Sequence, residues 1–354
     1  MSEQKTGFLK NFTPIWFAAV LGFGGIALAT LLVSRVFNFT QLNPLAVFLV
    51  YFNLALLLYL FIIWLLKLIL YPNVLIGELR HPVIAGFHSL MPAAIIMVSI
   101  VSSNIGSRFS LWHYKDISII LWGVGAGFEF ILLTLTIYFL IINEKMQINF
   151  LNGGWLVPPV AALLTTVAGL NIIAFISNDN IGQGILWINY FFFGMGVFVF
   201  LLMSISIFYK IFFSEPMDPK VFPSLWIILV PFSLISLSLS LFVSSTGKYL
   251  PLIEDTLKGI SLLINPMLIG IGIWLLILLI ILSYYYLKII KLPYGVGWWA
   301  FIFPTASVSI ASLNQAAILN QPFFGYFGLA IYIFLLVIAV IVILRTLKGF
   351  TVKG

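Results

Sequence analysis

The stretch PLAVFLVYFNLALLLYLFIIWLLKLILY, residues 44–71, decides the fold class. Lys67 is its only charge, and it exceeds the ~20 apolar residues an α-helix needs to cross a ~30 Å hydrocarbon core. On either side lie similar runs, with approximate limits 13–37, 82–104, 115–142, 154–176, 184–213, 221–246, 257–290, 296–318 and 323–348. They are continuous rather than alternating and much longer than a spanning strand, which excludes a β-barrel. The sequence therefore predicts an all-α integral membrane protein of ten transmembrane helices. Residues 1–12 read as a cytoplasmic N-terminal tail, 13–348 as one transmembrane channel or transporter domain, and 349–354 as a cytoplasmic C-terminal tail. The polar stretches 215–220 and 244–258 read as loops.

Composition agrees. Hydrophobic residues make up 62% of the chain and charged ones 8%, against roughly 25% charged in a soluble domain, so a lipid bilayer must cover most of the surface. The formal charge of +7 is scattered over loops and tails, which gives a nucleic-acid partner no support. There is no cysteine, hence no disulfide, thiolate metal site or Cys nucleophile. The N-terminus MSEQKTGFLKN is polar and no small-residue cleavage pattern follows the first apolar run, which reads as a retained helix. The histidines His81, His88 and His113 are dispersed with no HExxH pattern, and no GxxxxGK[ST] loop occurs. No catalytic residue, metal or cofactor is therefore expected, and neither an enzyme nor an ATP motor.

Basic residues flanking spans stay on the cytoplasmic side. With both termini inside, the inner set is Lys5, Lys10, Lys67, Arg80, Lys145, Lys210, Lys220, Lys288, Lys291, Arg345, Lys348 and Lys353, which outnumbers Arg35, Arg108, Lys115, Lys248 and Lys258 outside. Proline is segregated too. Odd-numbered segments hold Pro14, Pro82, Pro92, Pro158, Pro159, Pro223, Pro231 and Pro304, while even-numbered ones hold Pro44 and Pro266. Interior prolines bend helices and free carbonyls, which lipid does not tolerate but a wet cavity or protein neighbour does. The odd segments also carry Gly22, Gly24 and Gly25, the serines 233, 236, 238 and 240, and Thr305, Ser307, Ser309 and Ser312. The expectation is an inner ring of odd helices and an outer, lipid-facing ring of even ones, built as five hairpins of one kind. Packing between helices alone would account for any single small residue.

Five motifs, one on each odd segment, carry a family resemblance. They are TPIWFAAVLGFGGIALAT (13–30), HPVIAGFHSLMP (81–92), GWLVPPVAALLTTVAG (154–169), FPSLWIILVPFSLISLSLS (222–240) and VGWWAFIFPTASVSIAS (296–312). In this order they resemble, nearly end to end, the tellurite-resistance/dicarboxylate transporter family, which takes in fungal malate permeases, sulfite efflux pumps and plant slow-type anion channels. The resemblance implies a central pore surrounded by five helical hairpins, usually a homotrimer, in the plasma membrane. It implies a small anion as substrate: a C4-dicarboxylate, sulfite, tellurite or an inorganic anion. A phenylalanine of the ninth helix occludes the pore in the channel members, and the aromatic-x-Phe-Pro pattern puts it at Phe303 in preference to Phe301.

Candidate pore-lining and kink residues are Pro14, Phe17, Gly22, His88, Pro92, Pro158, Pro231 and Pro304. Only His88 and Glu129 are ionisable well inside the predicted segments, where charge is costly and needs a reason. His88 either faces the solute or is a neutral histidine satisfied by a hydroxyl, and Glu129 reads as a structural partner to another helix. No lysine or arginine is expected in the pore, which predicts weak selection and easy release. Two mechanisms stay open: passive anion permeation, and proton-coupled transport of malate-like dicarboxylates.

Overall fold

In lipid a segment must pair its backbone groups internally, so each apolar run closes on itself as a helix. The computed structural model describes residues 7–144 and 146–351. Among them ten helices are long and apolar enough to cross a membrane: α1 (Pro14–Phe37), α2 (Thr40–Leu70), α3 (Ala85–Phe109), α4 (Tyr114–Ile141), α5 (Gly153–Phe175), α6 (Asp179–Phe213), α7 (Phe222–Tyr249), α8 (Pro251–Ile290), α9 (Val296–Leu319) and α10 (Pro322–Gly349). No strand occurs among the described residues. Lys5, Lys145, Lys353 and the outer parts of both predicted tails lie outside them.

The helix ends follow from local chemistry. Asn38 (φ 57°) and Asn320 (φ 50°) stop α1 and α9 in the left-handed region, which asparagine tolerates better than most residues. The Asn178 side chain starts α6 by accepting from the amides of Asn180 (3.0 Å) and Ile181 (3.3 Å).

Two boundaries differ from expectation. Helix α3 runs past residue 104 to Phe109 through a π-turn over Ser102–Gly106, because Ser103 and Asn104 each bond back to the Ile100 carbonyl at 2.9 Å and keep the polar run helical. Residues 244–258 are not a loop: α7 continues to Tyr249 and α8 begins at Pro251. Thr246 is held by the Tyr190 hydroxyl at 2.8 Å, and Glu254 and Asp255 occupy the first α-helical turn of α8, where negative charge is favoured. In the described part of the N-terminal tail, residues 7–10 are helical and Phe12 is buried edge-on against Phe17.

Every odd-numbered span opens with a 3-10 segment: Pro14–Phe17, Ala85–Ser89, Gly153–Leu156, Phe222–Ile228 and Val296–Phe301. The α-helical part then begins at Ala18, Leu90, Val157, Leu229 and Ile302. Pro92, Pro158, Pro159, Pro231 and Pro304 fall within the first three residues of those α-helical parts. The expectation of interior kinks is thus corrected: the prolines mark the junction, where bonding changes from i−3 to i−4 and a missing N–H is tolerated. Among the described spans Pro266 of α8 is the proline inside an unbroken α-helix.

Each odd span packs on the even span that follows it, and α1, α3, α5, α7 and α9 also pack on one another in a circuit that closes from α9 to α1. The five 3-10 segments touch in the same order. At the α5–α7 step the approach is backbone to backbone, since a Cβ on Gly153 would run into the Ser224 carbonyl. The most apolar stretch of each odd span is 56–100% buried, against 28–39% for the even spans.

Candidate functional site

Two cavities lie along the axis of the odd helices, and Phe303 lines both. One, of about 90 Å³, is bounded by the early turns of the five odd spans, including Ile15, Phe87, Val157 and Ser224, with Lys220 at its edge. The other, of about 240 Å³, is bounded by their later turns. It holds Arg35 from α1, Asn104 from α3, Asn171 from α5, Ser240 from α7, and Ser307 and Asn314 from α9. No acidic residue lines either cavity. We refer to them as the Lys220 and Arg35 vestibules.

The α9 junction sets the position of Phe303, which immediately precedes Pro304. The corresponding residues before the junction prolines of α3 and α7 are Met91 and Val230, so only α9 among these presents an aromatic ring. The ring is buried and fits because α1 offers Gly25: a Cβ there would stand 3.3 Å from Phe303 Cδ2 and 2.7 Å from Ala306 Cβ. Two hydroxyls that line these cavities are bonded to backbone carbonyls. Ser224 in the smaller cavity donates to Val221 O (2.6 Å), and Ser307 in the larger one donates to Pro304 O (2.8 Å).

Of the residues singled out in the sequence, Phe303 and Pro304 line these cavities. Phe301 does not. It packs edge-on against Trp226, with centroids 5.1 Å apart, and borders a separate apolar cavity between α7, α8, α9 and α10. Pro14, Phe17, Gly22, Pro92, Pro158 and Pro231 line neither vestibule. Their places at or near the 3-10 segments turn them into helix contacts: a Cβ on Gly22 would meet Ile302 Cγ2 at 3.2 Å, and Phe17 is fully buried.

His88 also lines neither vestibule. It sits in the 3-10 opening of α3 and turns toward the link between α2 and α3, with Nε2 at 3.7 Å from Glu78 Oε2. Glu78 belongs to the short helix Pro72–Arg80, and its other oxygen is 2.6 Å from Lys67 Nζ. Lys67 in turn donates to the Phe12 carbonyl at 2.7 Å. Buried ionisable groups inside the spans are therefore not limited to His88 and Glu129, since Lys67 and Lys210 are both buried near the ends of α2 and α6. Lys210 is satisfied by the Asn149 carbonyl at 3.1 Å. Glu129 on α4 is fully buried, with the Ser89 hydroxyl of α3 close enough to act on it, although neither of its oxygens has a partner of hydrogen-bond geometry among the described residues. That places it in the α3–α4 contact, away from both cavities.

Sequence reasoning missed the cations that line the two cavities. Arg35 lies in the last turn of α1 and Lys220 just before α7, where a basic residue reads as an interfacial anchor. The signal was present in the register: Asn104 and Asn171 each stand thirteen residues after the residue preceding a junction proline, and Asn314 lies at nearly the same depth. Among the described residues no three His, Asp or Glu side chains come together as a metal site would require.

Comparison with known proteins adds a lineage to this geometry. Residues 11–347 match the family described as voltage-dependent anion channel, SLAC1. An uncharacterized transporter of Methanocaldococcus jannaschii is 29% identical, covering 97% of this chain and 95% of its own length. A second from the same organism is also 29% identical, over 96% of this chain and 95% of its own. A sulfite efflux pump of Arthroderma benhamiae is 22% identical, over 90% of this chain and 86% of its own.

Proposed function

Because the chain belongs to the voltage-dependent anion channel family, we propose that its two vestibules are halves of one conduction path for a small anion, occluded at Phe303. The observation that carries this reading is that a single side chain lines both cavities, whose other walls come from successive turns of the same five helices. Arg35 and Lys220 place one positive charge at each mouth with no lining acid to oppose it, which raises the local anion concentration. Neither is beside Phe303, so nothing fixed holds the ion in the middle, and release is easy. The aromatic barrier demands dehydration, which favours weakly hydrated anions and keeps the resting leak low. Sulfite, carried by the fungal relatives by name, is the first substrate to try, with malate, nitrate and chloride.

The working assembly is a homotrimer in the plasma membrane with both termini cytoplasmic. In support, alternating spans leave Lys10, Lys67, Arg80, Lys210, Lys220, Lys288, Lys291, Arg345 and Lys348 on one side and Arg35, Arg108, Lys115, Lys248 and Lys258 on the other. The test is anion efflux from liposomes holding purified protein, with and without a proton gradient. Phe303→Ala is expected to raise gradient-independent flux by roughly tenfold or more, while Phe301→Ala leaves it near wild type. Unchanged flux in Phe303→Ala sinks the occlusion, and saturable uptake that requires the gradient makes the protein a coupled transporter.

A further inference from the structure

The two vestibules differ in chemistry as well as size. At the Lys220 end the wall is apolar apart from Lys220 and the self-satisfied Ser224. The odd helices also run parallel, which points their N-terminal, partially positive ends toward that mouth. An anion is drawn there by backbone and one lysine. At the Arg35 end the same helices present their C-terminal ends, whose partial charge opposes an anion. Attraction on that side has to come from side chains.

We propose that the Arg35 vestibule is a binding site for a polyatomic anion with two or more oxygen acceptors, formed by Arg35 with the carboxamides of Asn171 and Asn314. These groups come from three of the five odd helices and share one cavity of about 240 Å³, room for a small anion with part of its water shell. Arg35 has no carboxylate within 4.0 Å among the described residues, so its forked N–H donors face the cavity uncommitted. No hydrogen bond to another described side chain or carbonyl engages the amides of Asn171 or Asn314. The remaining three polar groups are occupied: Asn104 donates to Ile100 O at 2.9 Å, Ser240 accepts from Asn265 at 2.8 Å while donating to Ser236 O at 3.1 Å, and Ser307 donates to Pro304 O at 2.8 Å. Free donors thus belong to Arg35, Asn171 and Asn314. A planar guanidinium fork matches two oxygens of one anion, and primary amides add directed donors around it. Such a set discriminates oxyanions and carboxylates from a spherical halide, which gains little from directed pairs.

The site stands apart from the barrier. Asn314 is eleven residues beyond Phe303, roughly 16 Å along an α-helix at 1.5 Å per residue. It therefore recruits and selects before dehydration rather than gating. Because Arg35 is exposed, water competes and binding is weak, on the order of millimolar.

This inference rests on the anion-path reading, and the experiment separates the two. Calorimetric titration of detergent-purified protein with sulfite, nitrate, malate and chloride is run on wild type, Arg35→Gln, Asn171→Ala/Asn314→Ala and Lys258→Gln, alongside liposome flux in a Phe303→Ala background. Sulfite, nitrate or malate is expected to bind more tightly than chloride, the rank of the first two against malate telling an inorganic oxyanion from a carboxylate. Arg35→Gln and the double asparagine variant each weaken that binding by roughly tenfold and shift permeability toward chloride, whereas Lys258→Gln, at an exposed cation that lines neither cavity, leaves the binding constant unchanged. Equal binding of chloride, or binding unmoved by both vestibule variants while flux persists, overturns the site and leaves the path standing. Absence of any anion flux in the Phe303→Ala protein overturns the path, and the site's role with it.

Discussion

Helices α8 and α9 are neighbours in sequence and each carries a proline, yet they solve opposite problems. Helix α8 is α-helical without a break from Glu254 to Tyr285, with Pro266 in the interior of that stretch, and it presents Leu263, Met267, Trp274 and Ile281 outward, all more than half exposed. Helix α9 starts as 3-10, passes Pro304 at the junction, and buries nearly every residue from Phe301 to Leu313, hydroxyls included. Proline alone therefore does not separate a lipid-facing helix from one at the molecular axis. What separates them is the company it keeps: a 3-10 segment that ends just before the proline rather than a dozen residues ahead of it, small or hydroxylated neighbours, and packing against the other odd helices. Lipid tails are as apolar as leucine, so inner helices gain association from close packing rather than from burial out of water.

Six substitutions test how far this contrast goes. The largest effect is expected at Gly153, where a valine side chain meets the Ser224 carbonyl. Gly153→Val should cost about 3 kcal/mol or more, as an overpacked backbone contact does, read as a lowered melting temperature and loss of monodisperse protein. Gly270→Ala on α8, with nothing within 4 Å, should be neutral or stabilising by about 0.5–1 kcal/mol; equal losses at the two positions would erase the distinction. Next comes Lys67→Met, which leaves Glu78 and the Phe12 carbonyl without their shared donor. Glu78 is partly exposed, so the loss should be about 1–2 kcal/mol, and Glu78→Gln in the Lys67→Met background should cost little more, as a double-mutant cycle would show.

A subtler effect is expected at Gly25. Alanine there crowds Phe303 Cδ2 and Ala306 Cβ, so Gly25→Ala should displace the ring and change anion flux several-fold for a stability loss of about 1–2 kcal/mol. Flux identical to wild type would mean the ring is not the barrier. Smallest of all is Ser206→Ala on the exposed face of α6, whose hydroxyl bonds only to the Leu202 carbonyl at 2.9 Å. Its effect should stay within about 0.5 kcal/mol.

Much of this was legible in the sequence and some was not, for physical reasons. The spans follow from hydrophobic run length, and the aromatic-x-Phe-Pro pattern led to Phe303, which does line the central cavities, while Phe301 does not. The proline segregation was visible, but its cause was misread: a 3-10 segment has no hydropathy signature, so a proline at its end looks like a mid-helix kink. His88 was an apolar-segment histidine on paper, and only the fold brings Glu78 to it. Arg35, Asn171 and Asn314 were passed over because polar residues near span ends are ordinary. Registering α3, α5 and α9 on their prolines would have shown that Asn104, Asn171 and Asn314 fall at nearly one depth.

The 3-10 lead-ins also have a consequence for azimuth. A 3-10 helix advances about 2.0 Å and turns about 120° per residue, against 1.5 Å and about 100° in an α-helix. Moving the junction of α9 by one residue, from its place between Phe301 and Ile302, therefore swings everything beyond it by roughly 20° and half an ångström. Phe303 rides two residues past that point, so its ring direction is indexed by where one helical pitch gives way to the other, like a pointer on a screw whose thread changes partway along.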